Sequence, residues 1–370
     1  MLNDHLAHVG HLRIAMYSLD FNSFYTHLLP ALERANHTFV LVTSTEDTSL
    51  PWEEFSCRGP YRHPAAGRQK LTPGQSLRIF LRHPLLLHWY TQNWDLARSA
   101  GKRQHFSTRK VDEMACAQRI AIDPSFDSDI MAHGADADLF NKVSPLPIGI
   151  GADPSACGNL GSFRALASKA PPLTDRTLAV LAGFYPTRLR ELRNLALLEL
   201  SHSKANHEAN ATHEHILTPH HGYSHADVLR FSFVAAPTSR GQDTFRFWET
   251  ISLGAIPIVL AGPLDSFYVH LPCVIVDSWA NITPGKLIEW RRHIVHAFGP
   301  RPFLHPHVAR LLNSSFYAHR MERAEAVLPL RALRNTPRAI VNHTCNLSLG
   351  GAMATSLAGN PRRRAALGCL

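Results

Sequence analysis

The chain has 370 residues, more than the ~250–300 that a single hydrophobic core supports, so two domains are expected. Its composition, 45% hydrophobic and 18% charged, is that of a globular protein and excludes a collagen-like or wholly disordered chain. With 38 basic and 29 acidic side chains the net charge is +9, which suits either a polyanionic partner or a basic, soluble surface. No apolar run reaches about 18 residues, so no membrane-spanning helix is predicted within this chain.

Short apolar runs separated by loops predict an amino-terminal Rossmann-like domain over residues 1–164. Strands are expected at 39–43 and 85–92, and a third apolar stretch lies at 145–150. Two prolines then predict an interdomain linker at 165–175.

The second half alternates strands and helices more regularly. Strands are predicted at 177–183, 231–236, 255–260 and 273–276, and helices at 188–200, 243–253 and 284–296. Near-continuous apolar strands that alternate with helices indicate βαβ units and a parallel sheet buried on both faces. We therefore predict an α/β fold of two Rossmann-like domains, with parallel sheets facing across a cleft. The carboxyl-terminal domain is expected at 176–300, a helical segment at 301–336 and a disordered tail at 337–370.

Neither the cysteines nor the histidines form a convincing metal site. The six cysteines are widely spaced without a CxxC pair. The insertion at 201–225 holds seven histidines but no cysteine, so a solvated loop is expected there. Asp-x-Asp triples at 127–129 and 136–138 fall in predicted loops and are not assigned a metal. No metal or cofactor is predicted.

Asn-x-Ser/Thr sequons hint at the cell compartment. Six are present where chance gives roughly two, which favours the lumen of the Golgi or another secretory compartment. Residues 1–10 contain no signal-peptide core, so either an anchor is missing from this chain or the sequons are accidental. The six acceptor residues are Asn36, Asn210, Asn281, Asn313, Asn342 and Asn346.

The segment 231–279 holds the clearest candidate ligand site. Its loop follows a strand and opens the predicted helix 243–253, which is where open α/β sheets bind ligands and where backbone N–H groups attract anions. Arg240 and Arg246 would add charge-assisted bonds to a phosphate, and Gly241 would let the backbone approach closely. Asp243 begins the helix and is included in the predicted donor site.

Glu249 follows Arg246 by three residues and shares its helix face. Its carboxylate is predicted to accept two hydrogen bonds from vicinal hydroxyls such as those of a ribose. The alternative is a surface Arg/Glu pair that only stabilises the helix, by ~0.2–0.5 kcal/mol.

The chain resembles the carboxyl-terminal half of the exostosin-like glycosyltransferases over residues 228–282. The motifs that carry the resemblance are RFWETISLGAIPIV at 246–259, DSFY at 265–268 and LPCVIVDSW at 271–279. Weaker likeness to related algal and plant proteins lies at 92–95 and 145–150. The resemblance implies a GT-B architecture and inverting transfer of a hexosyl or glycuronosyl group. The donor would be a nucleotide sugar, usually a UDP-sugar, and the acceptor a glycan or glycoprotein. Members are commonly Golgi-anchored, and membrane attachment here would need an anchor that this chain does not contain.

The resemblance also implies roles for individual residues. Arg246 would contact the donor phosphates and Glu249 the donor ribose. Arg188, with Arg190 and Arg193, would face the diphosphate at the cleft or form a solvated helix face. Inverting transfer also needs a general base, normally from the amino-terminal domain; Asp47, in the loop after the strand predicted at 39–43, is the preferred carboxylate, and Glu46 and Asp95 are alternatives. The loop at 238–242 has less glycine than the family's loop.

Two other functions remain open from the sequence. One is a fucosyltransferase-like GT-B enzyme that takes a GDP-sugar. The other is a non-catalytic glycan- or polyanion-binding protein with the same fold. A nucleic-acid partner is not predicted, because the basic residues are scattered and lack interleaved aromatic repeats.

Overall fold

The computed structural model describes two parallel β-sheets with helices packed against them. The described residues are 11–17, 21–44, 73–94, 139, 142–150, 160–184, 191–201, 216–217, 224–238, 242–262, 264–325, 327 and 340–342. This arrangement confirms the predicted α/β class with two sheets.

The first sheet has four strands in the order β1-β2-β3-β4, and every neighbouring pair is parallel. The strands are β1 (Leu12–Tyr17), β2 (Phe39–Ser44), β3 (Leu86–Thr91) and β4 (Val143–Pro145). Helix α1 joins β1 to β2 and contains the turns Phe21–Ser23 and Leu29–Ala35 around a π-helical turn, Phe24–Leu28; helix α2 spans Pro73–Leu81.

Aromatic side chains form the core between this sheet and its helices. Phe21 stacks on Trp89 with ring centroids 5.5 Å apart, and Phe80 meets both rings edge-on at 5.5 Å. All three side chains are fully buried. Such pairs add about 0.5–1.5 kcal/mol each beyond the area that they bury, which holds α1 and α2 against β3.

The second sheet has six parallel strands in the order β10-β9-β8-β7-β5-β6. The strands are β5 (Thr177–Leu181), β6 (Ile216–Leu217), β7 (Phe231–Ala235), β8 (Ile256–Leu260), β9 (Val274–Val276) and β10 (Ile340–Asn342). The helices are α3 (Leu160–Ser168), α4 (Glu191–Ser201), α5 (His225–Val228), α6 (Phe245–Ser252), α7 (Asp265–Tyr268), α8 (Pro284–Phe298), α9 (Pro306–Leu311) and α10 (Ser314–Arg323), with 3-10 turns at Leu173–Asp175, Trp279–Asn281 and Pro302–Leu304.

The strand order defines a switch point between β5 and β7. From β5 the chain passes to β6 on one side, and it then returns to place β7 on the other side of β5. In a doubly wound sheet the crevice outside the carboxyl ends of two such strands is the usual ligand position. Strand β7 is buried along its whole length, which accounts for its continuous apolar sequence.

Four segments differ from the sequence expectations. The predicted linker 165–175 contains the last residues of α3 and a 3-10 turn, and Ala170 and Leu173 within it are buried. The His-rich insertion contributes β6, and three residues of the predicted disordered tail form β10. The helix predicted from residue 243 begins at Phe245, because Thr244 takes the N-cap position and accepts a hydrogen bond from the Phe247 N–H.

The chain returns from the second sheet to the first before it ends. The hydroxyl of Tyr90 on β3 donates to the backbone oxygens of Arg320 and Glu325, at the end of α10. The Val327 N–H donates to Ser144 Oγ on β4 at 3.1 Å. Strand β10 then pairs with β9, so the chain crosses between the two sheets again.

A buried arginine holds the carboxyl end of α6, the helix that carries the residues predicted to bind the sugar-nucleotide donor. Arg176 is 4% exposed and donates hydrogen bonds to the carbonyls of Pro171, Val228 and Leu253. Burial lowers its pKa to about 10, so the guanidinium remains charged at neutral pH. A Cβ at Gly254, whose φ is +78°, would lie 2.8 Å from Arg176 Nη2, so glycine is required there.

Candidate functional site

The carboxyl ends of the two sheets face each other. Residues 92–94 follow β3, residues 146–150 follow β4, and residues 236–244 connect β7 to α6. These loops contact one another at Asp243, at the base of the predicted cleft. We call each sheet with its helices a unit, and the two units have the mutual orientation that the sequence predicts, with the carboxyl edges of their sheets opposed.

Asp243 joins the two units through hydrogen bonds. Its side chain is buried, and both carboxylate oxygens accept hydrogen bonds from protein groups. Burial raises the pKa of Asp243, whereas the hydrogen bonds that it accepts favour the charged form and oppose that rise. The donors are the backbone N–H groups of Ile148 (2.9 Å) and Thr244 (2.8 Å), the hydroxyl of Tyr268 (2.7 Å) and the indole N–H of Trp248 (2.7 Å).

A second contact between the units uses the backbone of Asp243. Its N–H donates to Asn93 Oδ1 at 2.9 Å, and Asn93 is buried with a left-handed φ of 51°. Asparagine adopts this conformation more readily than most residues. Asp243 thus lies at the predicted site, but its carboxylate accepts hydrogen bonds from N–H and O–H groups of the protein. Its role in binding the sugar-nucleotide donor stays a prediction.

Arg246 lies at the switch point of the second sheet. It occupies the first turn of α6, and its guanidinium carbon is 5.9 Å from the centroid of the Phe184 ring, just after β5. The side chain therefore bridges the segments that follow β5 and β7. A planar cation at this position can bind a phosphate group through charge-assisted hydrogen bonds.

Glu249 lies one turn further along α6 and is 7% exposed. Its Oε2 is 3.6 Å from Nε2 of His225, at the start of α5, and the two side chains are both largely buried. The His225 ring packs edge-on against Phe163 with centroids 5.1 Å apart. The sequence predicts a solvated loop at His225, and no periodic pattern links this histidine to Glu249.

The remaining predicted site residues lie outside the described residues. These are Asp47 with its alternatives Glu46 and Asp95, and Arg188, Arg190, Arg240 and Gly241. Arg193 lies on α4 and is half-buried. Their roles in base catalysis and phosphate binding stay predictions.

A pocket opens between the carboxyl ends of β7 and β8, and we name it the β7–β8 pocket. Polar groups from the loops after both strands meet apolar side chains there. It is lined by Ala236, Thr238, Gln242, Thr244, Val259, Leu260, Ala261, Gly262, Leu264, Asp265 and Tyr268.

Among the described residues no three His, Cys, Asp or Glu side chains lie together in a way that could hold a metal ion. Within the same ranges no helix combines the length and the apolar character that crossing a bilayer requires.

Two parallel sheets with opposed carboxyl edges define an α/β protein of GT-B-like architecture. Neither a protein-family model nor a curated protein matches the chain. Among solved structures the chain is similar to an α,α-trehalose-phosphate synthase (UDP-forming) from Burkholderia xenovorans in complex with glucose-6-phosphate. The identity is 12%, the TM-score is 0.36, and the match covers 87% of this chain and 75% of that one.

Proposed function

We propose that this chain is an inverting glycosyltransferase that binds a nucleotide sugar, preferably a UDP-sugar, in the cleft between the two sheets. The acceptor would be a glycan or glycoprotein. The observation that carries the proposal is the position of Arg246, which bridges the segments after β5 and β7 at the switch point. The resemblance of residues 228–282 to exostosin-like glycosyltransferases supports the same site.

The proposed reaction assigns distinct tasks to the two units. The acceptor oxygen attacks the anomeric carbon as the bond from that carbon to the diphosphate breaks. Arg246 stabilises the negative charge that develops on the departing diphosphate. Glu249 accepts hydrogen bonds from the ribose hydroxyls, and a carboxylate of the amino-terminal unit, Asp47, takes the acceptor proton. Arg188, Arg240 and Gly241 would complete phosphate binding.

The first experiment measures thermal stabilisation by UDP, GDP, CMP and ADP. At 100 times its Kd a nucleotide should add about 2.7 kcal/mol to the free energy of unfolding. We expect UDP to stabilise the wild type, and both Arg246→Gln and Glu249→Gln to raise the UDP Kd at least tenfold. A hydrogen bond to a charged group contributes about 1.5–3 kcal/mol, which is consistent with that loss.

Glu289→Gln serves as the matched control. Glu289 is 53% exposed on α8 and pairs only with Lys286 among described residues, so its variant should bind UDP like the wild type. Stabilisation by GDP alone would replace the UDP-sugar proposal with a GDP-sugar enzyme. A folded protein that no nucleotide stabilises would overturn the donor site and favour a non-catalytic glycan-binding protein.

We also propose that the protein resides in a secretory-pathway lumen, where sequons are glycosylated. Asn36 ends α1 and Asn313 precedes α10, and both are exposed. The Asn313 Oδ1 accepts a hydrogen bond from the Ser315 N–H at 2.9 Å, which leaves its nitrogen available for a glycan. Secreted expression should yield a protein whose mass falls on enzymatic deglycosylation, by less in Asn36→Gln and Asn313→Gln. An unchanged mass would contradict this location.

A further inference from the structure

The β7–β8 pocket lies on the β8 side of strand β7, whereas the Arg246–Phe184 contact lies on its β5 side. Arg246 reaches toward the segment after β5, whereas the pocket is bounded by the segment after β8. Gln242 and Thr244 line the pocket and stand only a few residues before Arg246. Arg246 and the pocket therefore flank the carboxyl end of the same strand, β7.

The lining of this pocket has the chemistry of a sugar site. Thr238 supplies a hydroxyl, Gln242 an amide and Asp265 a carboxylate, and these groups can accept or donate the hydrogen bonds of ring hydroxyls. Val259 and Leu264 contribute apolar surface that suits the C–H groups of a sugar ring. No lysine or arginine is among the described lining residues.

Local contacts hold the two most polar groups in place. The Gly262 N–H donates to Asp265 Oδ1 at 2.9 Å, which fixes that carboxylate at the end of β8. The Gln242 side chain lies over the same glycine, because a Cβ built at Gly262 would be 4.0 Å from Gln242 Oε1. The Gln242 amide and the Asp265 carboxylate therefore both lie beside Gly262.

We propose that the β7–β8 pocket binds hydroxyl groups of the donor's sugar, that Gln242 and Asp265 select it, and that this sugar is neutral. A uronic acid would bring its carboxylate toward Asp265, and two like charges repel each other. The proposal rests on the proposed function, since it treats the pocket as an extension of the diphosphate site. It removes the glycuronosyl option that the sequence leaves open.

Gly262→Ala is the sharpest probe of this pocket. The backbone of Gly262 is outside the left-handed region, and the nearest atoms to an added methyl would be Leu260 O at 3.9 Å and Gln242 Oε1 at 4.0 Å. Both are ordinary van der Waals distances, so the variant should fold while the methyl group occupies sugar space. Gly285→Ala on α8, where nothing lies within 4 Å of an added Cβ, is the matched control.

The experiment compares calorimetric Kd values of UDP, UDP-glucose, UDP-galactose, UDP-N-acetylglucosamine and UDP-glucuronate. We expect Gly262→Ala and Gln242→Ala to weaken the best-bound neutral UDP-sugar at least fivefold and to leave free UDP within twofold. Gly285→Ala should leave every Kd unchanged. The wild type should bind that neutral sugar nucleotide at least tenfold more tightly than UDP-glucuronate, and Asp265→Asn should narrow that ratio.

The outcomes separate the two proposals. Suppose that UDP binds to the wild type, and that Gly262→Ala either weakens UDP and the UDP-sugars by the same factor or weakens none of them. The pocket then does not hold the sugar, and the proposed function stands. If UDP-glucuronate binds most tightly, the neutral-sugar assignment is overturned. If no uridine nucleotide binds to the folded protein, the proposed UDP-sugar donor fails and takes this inference with it.

Discussion

Asp243→Ala is expected to lower the free energy of unfolding by about 3–5 kcal/mol, because it leaves several buried hydrogen-bond donors without an acceptor. The substitution leaves the Ile148 N–H, the Tyr268 hydroxyl and the Trp248 indole N–H without their acceptor in a buried place. Each buried donor left unsatisfied costs about 1–3 kcal/mol. The Ile148 contact also connects the two units, so their mutual orientation should loosen.

Equilibrium denaturation in urea checks this expectation, with near-ultraviolet circular dichroism as a second probe of packing. Asp243→Asn keeps the volume but turns an NH2 group toward N–H or O–H donors, so an intermediate loss of about 2 kcal/mol is expected. Glu289→Ala removes an exposed carboxylate with a surface ion pair and should change stability by less than about 0.5 kcal/mol. A loss below about 1 kcal/mol for Asp243→Ala would show that the buried hydrogen bonds do not hold the units together.

A second large effect concerns acid stability and His88 on β3. This side chain is 3% exposed, and its Nε2 is 2.9 Å from Ser144 Oγ, which also accepts the Val327 N–H. Burial, helped by the nearby Lys142 charge, lowers the pKa of His88 from 6.5 to about 4. The unfolded chain therefore binds a proton at this histidine between about pH 6.5 and 4, and the folded chain does not.

Stability should consequently fall as the pH drops through that window, by about 3 kcal/mol from His88 alone. Urea denaturation at pH 7, 5.5 and 4 measures the loss for the wild type and for His88→Gln, which cannot gain the proton. The difference in stability between the two proteins should shrink as the pH falls. His293→Gln, an exposed residue on α8, should follow the wild type at each pH. A constant difference between His88→Gln and the wild type would contradict the role of His88.

The second sheet could be predicted from the sequence because its strands are buried on both faces. Strands β7 and β8 are largely apolar runs with helices before and after them in the sequence. This pattern predicts buried strands of a parallel sheet. Strand β1 escaped prediction because its residues are alternately half-buried and exposed, which leaves a weak apolar signal. Strand β6 has only two residues, too few for any periodicity, and Pro30 interrupts the apolar pattern of α1.

The candidate site also has one part that the sequence predicts and one part that it does not. The spacing of Arg246 and Glu249 on one helix is local information, and the structure places both on α6. The bonds from Asp243 to Asn93 and Ile148 join residues 150 and 95 positions apart, and the sequence carries no pattern at that range. Two segments with weak family likeness, 92–95 and 145–150, contain these partners. The sequence does not predict that these two segments contact Asp243.

The return of α10 to the first sheet constrains how this protein can be made or divided. The Tyr90 hydroxyl donates to the backbone oxygens of Arg320 and Glu325, and Ser144 Oγ accepts from the Val327 N–H, so both receive hydrogen-bond partners that lie more than 180 positions later in the chain. The first sheet is synthesised before the second, but its packing is complete only after residues 320–327 have been synthesised. A cut at the 165–175 segment would therefore not release an independent amino-terminal half. The two fragments should recover their structure only when expressed together.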